Sequence, residues 1–157
     1  MPAKKLKEFL DAKKVKYVPI VHSVAYTAQE IAASAHIKGK ALAKIVIIKI
    51  DGKIAMAILP ANYKVDFDLI QGAFGTKDVR LSNEQEFKDK FPGCEVGAMP
   101  PFGNLFEVDT YVAASLIEDN EIAFNAGTHT ELIKMQYKDY KKLVNPKVIR
   151  FSSKYKT

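Results

Sequence analysis

The sequence predicts a mixed α/β fold with a central, partly antiparallel sheet flanked by helices. Two β-rich runs, residues 45–50 and 53–59, are joined by Asp51-Gly52, a strong signal for a β-hairpin. Helix-start signals alternate with other β-rich runs along the chain. The 157 residues, 48% hydrophobic and 27% charged, fit a single soluble domain over residues 1–157.

Before the hairpin, the sequence predicts two helices and a strand. An apolar stripe over residues 4–14 indicates a short amphipathic helix. Residues 17–21 are typical of a strand, and Pro19 favours a position at a sheet edge. Thr27 begins the capping box Thr-Ala-Gln-Glu, so we expect a second helix after it that stops at Gly39.

Beyond the hairpin, helices and strands continue to alternate. The predicted helices are residues 65–74, a helix opened by the capping box at residues 82–85, a helical turn at residues 111–117, and residues 137–144. The predicted strands are residues 105–109, 121–125, 132–136 and 147–151.

The positive charge of the chain is concentrated at its two ends. Residues 1–16 carry six lysines and two acids, and residues 134–157 carry seven lysines, one arginine and one acid. If these ends meet in space, they form a basic face of the kind that binds polyphosphates. A pair of solvated, lysine-rich helices explains the same charges.

Common catalytic and metal-binding patterns are absent from the sequence. Its three histidines and single cysteine lack the close spacings of zinc sites, and there is no Walker A loop or G-x-S-x-G elbow. The sequence therefore predicts no metal or other cofactor. No apolar run approaches the ~20 residues of a membrane span. We expect a cytoplasmic protein without a membrane partner.

Residues 97–103 read Gly-Ala-Met-Pro-Pro-Phe-Gly and predict a stiff loop. Pro100 and Pro101 fix φ and donate no backbone N–H, while the flanking glycines allow a ligand to approach closely. The remaining N–H donors lie on either side of the prolines, which suits the binding of a carbonyl or carboxyl oxygen. A rigid connector between a helix and a strand is an equally good interpretation of the loop alone.

Three polar residues are further candidates for a site. Lys44 begins a buried strand, where its side chain either reaches the surface, which the sequence favours, or points into a polar cavity. His129 follows Asn125-Ala-Gly-Thr just past a strand end, and a structural role explains it as well as a functional one. Asp109 follows the proline loop, where it either caps the next turn or lines the same cavity.

Taken in order, three motifs resemble the YbaK/ProX family of aminoacyl-tRNA editing proteins. They are Lys44 before a β-run, Gly97-x-x-x-Pro101, and the turn Ala-Gly127-Thr-His129. The same fold occurs as the editing insertion of bacterial prolyl-tRNA synthetases, and the resemblance covers residues 17–144. It implies a barrel-like, largely antiparallel mixed sheet flanked by helices. It also implies hydrolysis of the ester between a mischarged amino acid and the terminal ribose of tRNA.

The resemblance further implies roles for individual residues. The lysine holds the phosphate or ribose end of the terminal adenosine, the glycine–proline loop binds the aminoacyl carbonyl region, and the histidine turn positions the substrate. The implied catalytic residues are Lys44, Gly97, Pro101 and His129. The implied substrate-binding residues are Thr27, Ala98, Met99, Pro100, Phe102, Gly103, Asp109 and Gly127.

The predicted activity is trans-editing, in which a water molecule attacks the aminoacyl ester and hydrolyses it. The sequence offers no evident nucleophile–base pair, but an aminoacyl ester is already activated and the vicinal ribose hydroxyl can assist the attack. The expected partners are the 3′ acceptor end of a mischarged tRNA and an aminoacyl-tRNA synthetase. A tRNA-binding or small-ligand-binding module without turnover is the alternative. Alanine, serine, threonine and cysteine esters all remain open, because one methylene changes binding by only about 1–3 kcal/mol.

Overall fold

The computed structural model describes residues 2–21, 42–95, 98–118 and 120–154. The predicted capping box at Thr27 and the helix that ends at Gly39 lie outside these residues, as does Gly97. None of the helices in the described ranges is long and apolar enough to cross a membrane.

Helices and strands alternate along the described ranges. The helices are α1 (Pro2–Ala12), α2 (Phe67–Phe74), α3 (Glu84–Phe87) and α4 (Tyr137–Val144), with short 3-10 helices at Gly103–Leu105 and Ala114–Glu118. The strands are β1 (Tyr17–Val21), β2 (Ala43–Ile50), β3 (Lys53–Pro60), β4 (Tyr63–Val65), β5 (Val79–Leu81), β6 (Asp109–Ala113), β7 (Glu121–Asn125), β8 (Glu131–Gln136), β9 (Lys147–Ile149) and β10 (Ser152–Lys154).

The described strands form three sheets, in the orders β5-β2-β3-β6-β9, β1-β8-β7 and β10-β4. Strand β6 runs parallel to both β3 and β9, and all other pairs are antiparallel. An isolated parallel bridge between Leu42 and Ala123 links the two larger sheets. The predicted mixed, largely antiparallel α/β fold is therefore confirmed. The described strands form linked open sheets and not a closed barrel.

The hairpin predicted at Asp51-Gly52 is formed by β2 and β3. Both turn residues have positive φ, 49° and 84°, as a tight two-residue hairpin turn requires. Successive side chains of β2 face two different hydrophobic cores, with Ile47 in the larger core and Ile48 in the smaller one. This two-sided burial explains why the strand is apolar almost continuously.

The strand predicted over residues 105–109 is wrong. The carbonyl of Gly103 accepts hydrogen bonds from the N–H groups of both Phe106 and Val108, at 3.0 and 2.9 Å. Glu107 adopts a positive φ of 57° between them. The β-rich composition of this run is therefore overridden by a local turn.

The helical turn predicted over residues 111–117 is wrong in its first half. Strand β6 occupies Asp109–Ala113 and pairs in parallel with β3 and β9, and the 3-10 helix begins only at Ala114. The short strands β4 and β5 were not predicted, because three-residue strands are defined by distant partners and not by their own pattern. The second capping box uses Asn83 and Glu86, and its helix ends at Phe87.

The lysine-rich helices α1 and α4 both pack against the segment that follows the two prolines. The ring of Phe102 lies 6.1 Å from that of Phe9 in α1 and 5.4 Å from that of Tyr140 in α4, measured between centroids. The side-chain amide of Asn104 also donates to the carbonyl of Leu143 at 3.4 Å. Helices near both basic ends of the chain thus contact one short segment.

Candidate functional site

The described part of the proline loop, residues 98–103, is buried throughout. Its backbone turns sharply at Pro101, because the N–H of Phe102 donates to the carbonyl of Pro100 at 2.7 Å. The N–H of Ala98 donates to the carbonyl of Glu95 at 3.0 Å. Within the described part of the chain, no acceptor lies within hydrogen-bond distance of the Met99 N–H. Met99 is therefore the described loop residue before the prolines whose donor is available.

Backbone hydrogen bonds join the loop to the turn that carries the histidine. The N–H of Gly127 donates to the carbonyl of Ala98 at 2.8 Å, and the N–H of Glu95 donates to the carbonyl of Gly127 at 2.8 Å. The N–H of His129 donates to Glu95 Oε1 at 2.7 Å. Gly127 has a φ of 101°, which a residue with a side chain rarely adopts. Two of the three sequence motifs are therefore in direct contact.

The third motif reaches the same place through the bridge between the two larger sheets. Leu42 pairs with Ala123 in parallel, which places Lys44 level with Asn125 at the end of β7. The turn at residues 127–129 follows directly. The bridge thus brings the Lys44 backbone beside the strand that leads into the histidine turn.

Exposure divides this site into a buried floor and an accessible wall. Residues 98–101 and Gly127 are buried and form the floor. Lys44, Asn125 and Thr128 are half-buried, and His129 is exposed. The wall therefore offers an ammonium, an amide, a hydroxyl and an imidazole, and the floor offers backbone groups. Such an arrangement can bind a phosphate or ribose outside while a carbonyl oxygen meets a backbone donor within.

Asp109 is not brought to this site. It is the first residue of β6 and lies level with Ala55 on β3, whereas Lys44 lies level with Leu59 on the same strand. Four residues of a strand separate these levels by roughly 13 Å. Asp109 instead lines a separate cavity with Asn104, Thr110 and Lys147.

Phe102 and Gly103 lie behind the site, in the core. The Phe102 side chain is fully buried between aromatic rings of α1, β7 and α4. A Cβ added at Gly103 would overlap Thr110 Oγ1 and the carbonyl of Val108. Because both positions are closely packed, they anchor the loop and offer no surface to a substrate.

Two residues at this site were missed by sequence reasoning. Tyr140 is buried, and its hydroxyl donates to the carbonyl of Pro101 at 2.6 Å. Burial raises the Tyr140 pKa well above its ordinary value, so the hydroxyl stays a neutral donor. Glu95 is exposed and contacts both the loop and the histidine turn. The Tyr140–Pro101 bond and the Glu95–His129 bond join residues 39 and 34 positions apart, so no local pattern could reveal them.

No group of three or more metal-ligating side chains is found over the described ranges. Cys94 is half-buried, and this burial raises its pKa, so the thiol is not activated as a nucleophile.

Residues 22–143 match the family model described as the aminoacyl-tRNA editing domain. The chain belongs to this family. This editing domain is 30% identical over 127 residues to the multifunctional Ser/Thr-tRNA deacylase ProXp-y of Escherichia coli (strain K12), which covers 76% of this chain and 75% of that protein. It is 23% identical over 104 residues to the proline–tRNA ligase of Bacillus mycoides (strain KBAB4), covering 64% of this chain and 18% of the ligase.

The fold of the editing domain is shared with solved structures. One of these, described as a proposed trans-editing enzyme for prolyl tRNA synthetase, superposes with a TM-score of 0.82 at 17% identity over 97% of both chains. The hypothetical protein APE2540 superposes with a TM-score of 0.81 at 18% identity, over 95% of this chain and 99% of that one. These findings confirm the predicted family and fold, and family membership confirms the predicted class of enzyme, an aminoacyl-tRNA deacylase. The individual site residues stay predictions.

Proposed function

We propose that this editing domain removes serine or threonine from mischarged tRNA in trans, at the junction of Lys44, the proline loop and the histidine turn. The observation that carries the proposal is the pair of hydrogen bonds joining Ala98 to Gly127 and Glu95 to His129. We infer that Lys44 joins this pair, because the Leu42–Ala123 bridge sets its backbone level with the end of the strand that leads into the histidine turn.

Each part of the junction has a role in this proposal. The Lys44 ammonium binds the phosphate or ribose of the terminal adenosine. The Met99 N–H stabilises the oxyanion that forms when water attacks the ester carbonyl, a contribution of roughly 3–4 kcal/mol for a well-placed donor. Gly127 and His129 orient the aminoacyl ribose against the loop. Pro101 carries no donor and acts by fixing the loop.

The reaction needs no protein nucleophile. Water attacks the carbonyl carbon, the tetrahedral intermediate collapses, and the ribose oxygen leaves with a proton. The vicinal ribose hydroxyl orients the attacking water, so the protein contributes mainly orientation and charge stabilisation. A mechanism of this kind can use the Lys44 cation, the His129 imidazole and the backbone donors of the loop, without a protein nucleophile.

Serine and threonine are proposed because of the relative in Escherichia coli, whose name gives Ser/Thr-tRNA as its substrate. Selectivity against alanine or cysteine then depends on the shape of the pocket beside residues 98–100. A hydrophobic pocket that differs by one methylene discriminates by only about 1–3 kcal/mol, so partial activity on neighbouring esters is expected.

The proposed macromolecular partner is the acceptor end of the tRNA, with a synthetase as a second partner. Helices α1 and α4, which both pack against Phe102, carry exposed lysines, including Lys4, Lys5, Lys138, Lys141 and Lys142. These cations suit the phosphates of an acceptor stem whose 3′ end enters the site. Such a partner would place the protein in the cytoplasm.

The decisive experiment measures amino-acid release from seryl-, threonyl-, alanyl- and cysteinyl-tRNA. Lys44→Ala is expected to lower kcat/KM about 10- to 100-fold, because a charge-assisted hydrogen bond contributes about 1.5–3 kcal/mol. Lys53→Ala is the matched control, since Lys53 is exposed at the far end of the same hairpin.

Two results would separate the parts of this proposal. If no ester is cleaved faster than its spontaneous hydrolysis, the deacylase function fails. If alanyl- or cysteinyl-tRNA is cleaved fastest, the deacylase function stands but the choice of serine and threonine is wrong.

A further inference from the structure

We propose that Glu95 is a positioning residue of this site, whose carboxylate holds the histidine turn against the proline loop. The inference rests on the proposed function and adds a residue to it. Glu95 lies outside the three motifs, two positions before Gly97, and its side chain is exposed.

Glu95 makes three of the contacts at the junction. Its carbonyl accepts from the N–H of Ala98 at 3.0 Å, and its own N–H donates to the carbonyl of Gly127 at 2.8 Å. Its Oε1 accepts from the N–H of His129 at 2.7 Å. One residue is therefore bonded to both the loop and the turn.

Only the third of these bonds depends on the identity of the side chain. Any residue except proline could supply the backbone N–H and carbonyl, but only a side chain of this length with an acceptor oxygen reaches His129. A distance of 2.7 Å is typical of a bond to an ionised acceptor. The feature of residue 95 that matters for this bond is therefore the terminal oxygen of its side chain.

The carboxylate bond acts beyond the two backbone bonds of Gly127, at the residue that carries the imidazole. At the base of the turn, the N–H of Ala126 donates to the carbonyl of Glu131 at 3.0 Å, which closes the connection between β7 and β8. The bond to Glu95 then fixes the position of the His129 backbone relative to the loop. A displacement of about 1 Å at a catalytic site can cost 10²-fold in rate, so loss of this bond should be visible in turnover.

The test compares Glu95→Ala, which removes the acceptor, with Glu95→Gln, which keeps an oxygen at the same reach. In deacylation of seryl- or threonyl-tRNA, Glu95→Ala is expected to lower kcat about 10- to 100-fold with KM for tRNA changed less than about 2-fold. Glu95→Gln is expected to stay within about 3-fold of the wild type, because the amide oxygen also accepts. Asp89→Ala is the control for loss of an exposed carboxylate.

Amide hydrogen exchange of His129, measured by NMR without substrate, provides a second readout. Exchange is expected to be several-fold faster in Glu95→Ala and close to wild type in Glu95→Gln. Equal protection in the wild type and Glu95→Ala would overturn the positioning role, whatever the turnover. Equal losses of kcat in the two variants would also overturn it, because they would mean that the carboxylate takes part in the chemistry.

This design separates the two proposals. Absence of deacylation by the wild type refutes the proposed function, and the exchange measurement still decides whether Glu95 holds the turn. Wild-type turnover by Glu95→Ala refutes the positioning role and leaves the deacylase function intact.

Discussion

The two ends of the proline loop have different surroundings. At the first end, Ala98 is hydrogen-bonded to Gly127 in the turn that presents the exposed His129. At the second end, Phe102 is fully buried among three aromatic rings, and Gly103 packs against β6 too closely for any side chain. One short motif thus contains a site-forming half and a core-forming half.

The boundary between these halves lies at Pro100-Pro101. Neither proline donates an N–H, and the carbonyl of Pro101 accepts from the buried Tyr140 hydroxyl. The core-forming half therefore fixes the orientation of the site-forming half. We therefore expect substitutions after the prolines to reduce the free energy of unfolding, and substitution of the exposed His129 beside the first end to reduce turnover with little loss of stability.

Phe102→Ala should have the largest effect on stability. Its ring is fully buried in the larger core, and truncation of a buried phenylalanine costs about 3–5 kcal/mol. Denaturant unfolding followed by circular dichroism measures the loss. Phe102→Leu, which keeps most of the volume, should lose much less. A loss below about 1 kcal/mol for the alanine variant would contradict the assignment of this half to the core.

Gly103→Ala should be the next most destabilising change. The new methyl group would overlap Thr110 Oγ1 and the Val108 carbonyl, and such overpacking costs about 1–3 kcal/mol. Gly72→Ala is the control, since nothing lies within 4 Å of a Cβ added there and alanine favours the helix by roughly 1 kcal/mol. Thermal unfolding of the two variants should therefore shift in opposite directions. Equal shifts would refute the steric argument.

Tyr140→Phe should cost about 1–3 kcal/mol, because it leaves the buried carbonyl of Pro101 without its donor. Tyr137→Phe is the matched control on the same helix. The Tyr137 hydroxyl is buried without a partner among the described residues, so its removal should be neutral or stabilising. Denaturant midpoints of the two variants give the comparison. If both variants lose the same free energy of unfolding, the hydrogen bond from Tyr140 to Pro101 makes no stabilising contribution of its own.

Local signals predicted much of the fold. The hairpin at Asp51-Gly52, strand β7 and helix α4 all carry their own turn, pattern or stop residue, and each was found where expected. Residues 105–109 were misassigned because their β-rich composition competes with a turn centred on Gly103, which only its contacts with β6 reveal. Strand β6 itself depends on parallel partners far along the chain.

The site could be predicted less completely than the fold. The order of Lys44, the loop and the histidine turn indicated the family, which the family match confirms, and the structure joins the loop to the turn by hydrogen bonds. The sequence could not indicate that the residues after the prolines pack closely into the core, so it predicts Phe102 and Gly103 as substrate-binding residues. Glu95 and Tyr140 act through partners more than thirty residues away, at positions without a motif.

The smallest expected effect on stability belongs to the histidine turn, which is hydrogen-bonded to the site-forming half of the loop. His129→Ala keeps the main-chain N–H that donates to Glu95 and removes only the ring of an exposed residue, so the free energy of unfolding should change by less than about 1 kcal/mol. If the imidazole orients the aminoacyl ribose, kcat/KM for seryl- or threonyl-tRNA should nevertheless fall about 10-fold or more. Phe102→Leu should be measured beside this variant. The leucine variant should lose stability yet keep most of its turnover under folding conditions, which is the opposite of the result expected for His129→Ala. If either variant lost both stability and turnover to the same degree, the prolines would not separate the core from the site.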